Sequence, residues 1–552
     1  MKVGIVFLSS LVLGALACGA PISPGESRLD QAPQVEAKRG GYLRHLLPYS
    51  SKNIDPYLTE DSTGYGFIVR QWYEPLLSRD YKPGVDHRIE NTAIPWIAES
   101  WKQEGPRTYL FQIRRGVKFH GGEELTADDV VYSYGRFQDP NEKINPQVRN
   151  RAEPMESASK VDGYTVRITA KRPDPDFLET LTDHRFPIMS RSYAMSGADA
   201  TSKANGTGPF KLVHYSKDVD ALAVRNETYW QPGRPYLDGV KHTLRVDDST
   251  MSAALAAGQA DIMMRVDKNQ FEPVLATNPK LQFRKEVVGS LYGVNLNVAR
   301  PPLDDVRVRK AIWLVLDRQE LDQALTFGEG TQSLPLVPPL KSDWSLPPEE
   351  IMKTPGYRQP KDQDIAEAKR LMREAGYPDG FRTTIMFPSG FGYQPQASEA
   401  VGEHLRRTLN IQADLQPRDN ASLVQRRVKG EFDMVVEGSS SVDTPQVSAW
   451  NNLHSSGSYA QGAGIKDPEV DRLVGAQSTE LDDKKRGAIF KELQRLLVER
   501  VYTIPLPQSL LYSVWQPWVY DWVSNKGNRQ AIMNPWAIWM DVDQAPADRR
   551  GP

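Results

Sequence analysis

The stretch RRGVKFHGGEELTADDVVYS, Arg114–Ser133, places His120, Glu123, Glu124, Asp128 and Asp129 within ten residues. So many titratable groups fit either an acid–base or metal site or a scaffold element. The choice decides whether the chain is read as an enzyme. The local pattern favours a scaffold. Leu110–Ile113 and Val117–Phe119 are short β-prone runs interrupted by Arg114-Arg115-Gly116, and Gly121-Gly122 permits a tight turn. Thr126 and Asp129 stand at capping-box spacing, with Asp in place of the longer Glu. The Thr126 hydroxyl is then expected to accept from an early helical N–H. Asp128 and Asp129 fall in the first turn, where the helix dipole favours negative charge. Val130, Val131, Tyr134 and Phe137 supply an apolar stripe. His120 has no second His at ligand spacing, so a metal reading lacks its partner.

At 552 residues the chain exceeds one ordinary core and predicts two or three domains. Basic and acidic residues number 68 and 70, a formal charge of -2, with no long basic run, so nucleic acid is not an expected partner. The 12 Trp and 22 Tyr suit both cores and ligand-gripping surfaces.

Cys18 is the sole cysteine, which rules out an intrachain disulfide. Lys2 is followed by an apolar run, Val3 to Ala17, of signal-peptide length. Ala15-Leu16-Ala17 meets the small-x-small cleavage rule directly before Cys18. This resembles a bacterial lipoprotein signal, in which Cys18 becomes the lipidated first residue, although Ala15 stands where such signals usually carry Leu. Residues 1–17 are thus expected to be a signal peptide. Residues 18–40 read as a flexible tether. The folded part is expected outside the cytoplasmic membrane, periplasmic or at the cell surface, held there by its lipid.

Mixed strand and helix patterns follow. TYLFQIRR and Tyr164–Ala170 read as strands. DIAEAKRLMREAG predicts a helix with Ile365, Ala368, Leu371, Met372 and Ala375 on one face and Gly376 as its stop. A second helix is expected from about Asp483 to Arg500, with Ile489, Phe490, Leu493, Leu496 and Leu497 on one face. The Pro-rich Ser333–Glu350 reads as a surface excursion.

An ordered series of segments resembles the large extracellular solute-binding proteins of bacterial ABC importers, the oligopeptide/dipeptide/nickel-binding class (family 5). The series is NIDPYLTEDSTGYGFIVRQWYEPLLSRD, then AIPWIAESWKQEGPRTYLFQIRRGVKFHGGEELTADDVVYSYGRF, NGTGPFKLVHY, RNETYWQPGRPYLDGV, STMSAALAAGQADI and PPLDDVRVRKAIWLVLDRQEL. The resemblance spans about residues 42 to 525 and puts the Arg114–Ser133 stretch in a scaffold. It implies an α/β, two-lobed periplasmic-binding-protein-like fold of class II type with an extra third domain. Lobe one is expected at 41–80, 204–293 and 508–545, the extra domain at 81–203 and lobe two at 294–507. The hinge crossings are expected near Gly293–Asn297 and Pro505–Ser509. Ligand binds in the interlobe cleft of such proteins, a membrane permease receives it, and no covalent chemistry or cofactor is needed. A monomer is expected.

Members that carry peptides often hold the ligand amine with an Asp in a Gly-Trp-x-Ala-Asp-Tyr-x-Asp/Glu-Pro-like segment. The corresponding run here is EGSSSVDTP, Glu437–Pro445, one residue shorter and without the Trp, Ala-Asp and Tyr. Asp443 is its nearest carboxylate, either an amine anchor or a turn residue before Thr444-Pro445. Glu437 serves instead if the strand register points it inward. Trp450, Tyr292 and Tyr512 each read as a ligand-facing aromatic or as core, whereas Trp515 and Trp518 are assigned to the packing of lobe one. The alternatives are a secreted hydrolase such as a glycosidase, a receptor without import, and a carrier of sugar, opine, haem or metal chelate. No Gly-x-Ser-x-Gly, His-Glu-x-x-His or phosphate-cradling loop supports a hydrolase. Asp304-Asp305 and Asp247-Asp248 are adjacent, which suits caps and turns. Eight scattered His without a His-x-His pair give no support for metal ligation.

Overall fold

The computed structural model describes residues 36–48, 50, 54–58, 68–79, 93–145, 148–149, 152–197, 202–287, 291–336, 343–389, 393–439, 445–522 and 534–552. Three large sheets organise them. A seven-stranded sheet runs in the spatial order 282–287, 510–515, 262–266, 42–46, 239–243, 220–225, 210–216. Its first strand in sequence, Tyr42–Leu46, lies parallel to Gly239–Thr243 and pairs His45 with Ile262 on its other side. A five-stranded sheet has the order 412–418, 382–388, 434–439, 291–296, 503–505. An antiparallel four-stranded sheet is built from 98–103, 108–113, 165–170 and 155–162. Alternation explains the last: Thr108–Ile113 turns Tyr109, Phe111 and Ile113 inward, and Thr165–Ala170 turns in Val166, Ile168 and Ala170.

The opening stretch is scaffold throughout. Lys118 makes only an isolated bridge to Glu124, so the expected strand at Val117–Phe119 is instead one side of a tight loop. Gly122 takes a φ of +101°, which a glycine tolerates. The helix Ala127–Gly135 begins after Thr126. Thr126 N–H donates to Asp129 Oδ2 at 2.9 Å, and the Thr126 hydroxyl donates to the same oxygen at 3.2 Å. The expected capping box is present, with the Thr126 side chain facing the Asp129 N–H, while the hydroxyl's own proton goes to the acid. Asp129 Oδ1 accepts from Arg191 N–H at 2.9 Å, which ties this helix to Arg191–Met195. Glu123 accepts from Ser190 and Asn205. Glu124 accepts from Gly116 N–H and the Tyr164 hydroxyl. Asp128 pairs with Lys160. His120 lies against the Gly208 carbonyl, and burial lowers it to about 4, so it is neutral at physiological pH.

Four of the sequence segments quoted above meet at one side chain, Glu74. Its Oε1 accepts from Trp96 Nε1 at 3.0 Å and the Tyr229 hydroxyl at 2.8 Å. Its Oε2 accepts from the Thr207 hydroxyl at 2.8 Å and Trp230 Nε1 at 3.0 Å. The flanking glycines admit no side chain: a Cβ on Gly206 would stand 2.0 Å from the Trp72 carbonyl oxygen, and one on Gly208 2.4 Å from that of Gln71.

Several expectations need adjustment. The helix Asp483–Arg500 has the expected span, and its N-cap Asp482 accepts from Lys485 N–H. The helix expected from Asp364 with Gly376 as its stop runs Asp362–Glu374. The Pro-rich segment is not merely a surface excursion, since Leu334, Trp344 and Leu346 are buried and Trp344 stacks on Phe490 at 4.9 Å. Their apolar area outweighs the segment's loop composition. Lys38, within the expected tether, pairs with Asp541 and Asp543. Arg549, beyond the expected end of lobe one at 545, is buried against Asp261 at 3.0 Å. Cys18 lies outside the described residues.

Burial raises the Glu74 carboxyl to about 7 from an ordinary 4.5, and its four donors oppose that rise. The folded chain therefore binds this proton more tightly than the unfolded chain. The stability it contributes is full below about pH 4.5 and falls as the pH climbs towards 7. Glu74→Gln would turn an amide NH2 towards an indole N–H, which has no acceptor capacity. The expected cost is about 1.5–3 kcal/mol in urea unfolding. The gap to wild type should narrow between about pH 5 and about pH 8. A pH-independent gap would contradict this placement of the proton.

Candidate ligand-binding cleft

The seven- and five-stranded sheets are joined by two chain crossings. The chain leaves the first at strand 282–287 and enters the second at Leu291–Leu296. It returns from Thr503–Pro505 to Leu510–Trp515. Gly293–Leu296, expected near the first hinge, is instead inside a strand, with Gly293 opposite Pro505 and Glu437. The crossing comes just before it, because Val294 and Leu296 are committed to the core of the five-stranded half. Gln508 clips the crossings together. Its Oε1 accepts from Tyr292 N–H at 2.8 Å, its Nε2 donates to Tyr292 O at 3.2 Å, and its backbone bridges Thr331.

The sequence candidates fall into different settings. Tyr292 is buried with its ring 4.2 Å from that of Tyr393. Tyr512 stacks on Phe271 at 3.9 Å and 5°, and its hydroxyl donates to Glu329 at 2.8 Å. Trp450 is half-buried and stacks on His454 at 3.9 Å, with the Arg172 guanidinium 6.0 Å from its ring. Trp515 is buried in the core beside the seven-stranded sheet, and Trp518 Nε1 donates to Asp261 at 3.0 Å. Asp443, with Ser440 and Ser441, lies outside the described residues.

Glu437 does point to the face shared by Gly293 and Asn295, but its charge is taken. Arg427, from the helix Asn420–Lys429, forms an ion pair with Glu437 Oε1. The same oxygen accepts from Asn295 Nδ2 at 3.1 Å. The guanidinium lies 3.9 Å from the Tyr459 ring centre, and it reaches Asn452 Oδ1 at 3.4 Å. Asn295 and Asn452, thus oriented, line a pocket of about 50 Å3 with Leu291, Leu336, Leu453 and Leu497. A pocket this small accepts a group of a few heavy atoms and no aromatic ring.

Sequence reasoning missed Arg427, Glu329 and Gln508. Glu329 accepts from Tyr512 and stands 3.3 Å from both Lys268 and Lys285. Burial opposes its charge, but the Tyr512 hydroxyl and the lysines outweigh that and hold its carboxyl below the usual range. Nothing local marks any of the three, because Glu329 and Gln508 acquire their partners from distant segments and Arg427 reaches Glu437 only through a helix-to-strand turn. Among the described residues no cluster of His, Cys, Asp and Glu could hold a metal ion, and no helix is long and apolar enough to cross a membrane.

Two mixed α/β halves joined by two crossings, with a further sheet attached to one of them, define a two-lobed periplasmic-binding-protein fold. Residues 92–461 match the family described as bacterial extracellular solute-binding proteins, family 5, and the chain belongs to that family. It is 29% identical over 553 residues to heme-binding protein A of Haemophilus influenzae, covering 94% of this chain and 96% of that protein. It is 26% identical over 462 residues to di/tripeptide-binding protein 1 of Pseudomonas aeruginosa, covering 78% and 83%. The structure of the periplasmic binding protein DppA of Helicobacter pylori with the peptide STSA superposes with a TM-score of 0.74 at 22% identity, covering 91% of this chain and 99% of that one. These relatives are named as binding proteins, not enzymes.

Since Arg427 neutralises Glu437, Glu437→Gln should act on stability. Loss of a hydrogen bond between charged groups predicts about 1.5–3 kcal/mol less unfolding free energy. Unaltered urea unfolding with weakened ligand binding would place that carboxylate on the ligand instead.

Proposed function

We propose that this protein captures a short peptide between its lobes and delivers it to a membrane permease of an ABC importer, with no covalent step. The observation that carries this reading is the pair of crossings clipped by Gln508. Such a joint lets two rigid halves close on a solute and release it again. Peptide as the cargo is supported by the di/tripeptide-binding relative and by the solved likeness bound to a peptide. The working division, with the strand Leu291–Leu296 given to lobe two and Arg549 to lobe one, is lobe one at 41–80, 204–290 and 508–550, extra domain at 81–203 and lobe two at 291–507, acting as a monomer. Native mass spectrometry of protein purified from its own organism tests the cargo. Released masses should be those of short peptides. A haem mass with a Soret band, or a sugar, would replace the peptide reading.

Two further parts of the proposal have their own tests. Asp443 holds the ligand amine, now without competition from Glu437. A charge-assisted hydrogen bond of about 1.5–3 kcal/mol corresponds to roughly ten- to a hundredfold in affinity. Asp443→Asn should lose that much in calorimetric titration with an identified peptide, with melting unchanged. Equal affinity would remove the amine anchor. Cys18 carries the lipid that keeps the protein at the membrane. Cys18→Ser should release the protein or block its processing, and a soluble mature wild type with an unmodified Cys18 would refute the anchor.

A further inference from the structure

A buried charge pair joins the four-stranded part to the five-stranded half. Arg486, on the helix Asp483–Arg500, donates from both terminal nitrogens to Asp176, at 2.6 and 2.7 Å. The side chains are 4% and 9% exposed, so the pair is dry. Each partner is held by its own side. Arg486 Nε donates to the Gln477 carbonyl at 3.1 Å, and the guanidinium lies 4.9 Å from the Trp344 ring centre. Asp176 N–H donates to Asp174 Oδ1 at 2.9 Å, and the Asp176 carbonyl accepts from Thr180. The Arg172 guanidinium and Trp450 face each other across the same boundary.

We propose that Asp176 and Arg486 are positioning residues that clamp the cleft shut before ligand arrives, and so set affinity without touching the ligand. This rests on the closing motion in the reading above. Four features carry it. The pair spans 310 residues and two separately built parts of the molecule. It is bidentate, which demands one relative placement of those parts. Both partners are pre-oriented, so closing orders little that is still free. When the cleft opens, both charges regain water, so the contact weighs on the closing equilibrium far more than on the stability of either part.

Small-angle X-ray scattering of the full chain, stripped of cargo by unfolding and refolding, tests this without any ligand. Wild type should match the shut arrangement. Arg486→Ala and Asp176→Asn should each move the closing equilibrium by about one to two powers of ten and enlarge the radius of gyration, with cooperative melting retained. Arg486→Lys, which keeps the charge and loses the fork, should fall between. If Arg486→Ala does not fold, the near-isosteric Asp176→Asn carries the test. An expanded wild type, or folded variants with the wild-type radius, would overturn the clamp. Loss of cooperative melting in both variants would also overturn it, since the pair would then be a folding contact. Because no peptide enters this experiment, its failure leaves the cargo reading standing. Only the masses released from natively purified protein count for or against that reading.

Discussion

The Glu74 carboxylate is the point on which the attachment of the extra sheet depends. It is buried and saturated by two indole N–H groups and two hydroxyls from segments more than a hundred residues apart. An unpaired carboxylate there would be prohibitively costly, so the site exists only if all four donors arrive together. That condition couples the Trp96 strand region, the Gly206–Gly208 turn and Tyr229-Trp230 into one rigid corner. The glycines are part of the same constraint, because any side chain at 206 or 208 would strike the backbone at Trp72 or Gln71. A second buried acid, Asp261, plays the same part at the seven-stranded sheet, where Arg549, Trp518 and the Arg44 N–H converge on it.

The seven-stranded sheet and its attachments and the five-stranded half each close their own hydrophobic clusters. Among the described residues, two strand crossings, the Gln508 clip and polar contacts such as those at Glu329 and Arg486 pass between them. Joints made of few residues with large cores on either side allow the halves to move as bodies. Charge pairs suit such a boundary because they re-solvate on opening, whereas a broad apolar interface would resist it. This explains why the buried ion pairs of this chain fall into two kinds. Arg549–Asp261 lies inside one half and fixes packing, while Arg486–Asp176 lies between parts.

The cleft wall near Glu437 follows the same economy of charge. A carboxylate that sequence pattern offers as an amine anchor is matched by Arg427, and the pair orients Asn295 and Asn452 at a small pocket. That pairing leaves neutral amides at the pocket and commits the Glu437 charge to Arg427.

Periodicity alone determined the helix Asp483–Arg500 and the strands Thr108–Ile113 and Thr165–Ala170, because each writes its burial pattern locally. The opening stretch was legible as scaffold for the same reason, since capping and turn chemistry operate within a few residues. The ordered motifs carried the family. What sequence could not decide was the role of any group whose partner lies far along the chain. Tyr292 and Tyr512 read as cleft or as core, and only the structure places Tyr393 beside the first and Phe271 and Glu329 beside the second. Thr126 and Asp129 were recognisable as a capping box, but that Asp129 also serves Arg191 was not. Glu437 looked available because Arg427, ten residues away, comes back to it only through a helix-to-strand turn. Local patterns record which side of an element is buried. The tertiary structure alone decides what it is buried against, because that depends on contacts between segments whose spacing in sequence carries no signal.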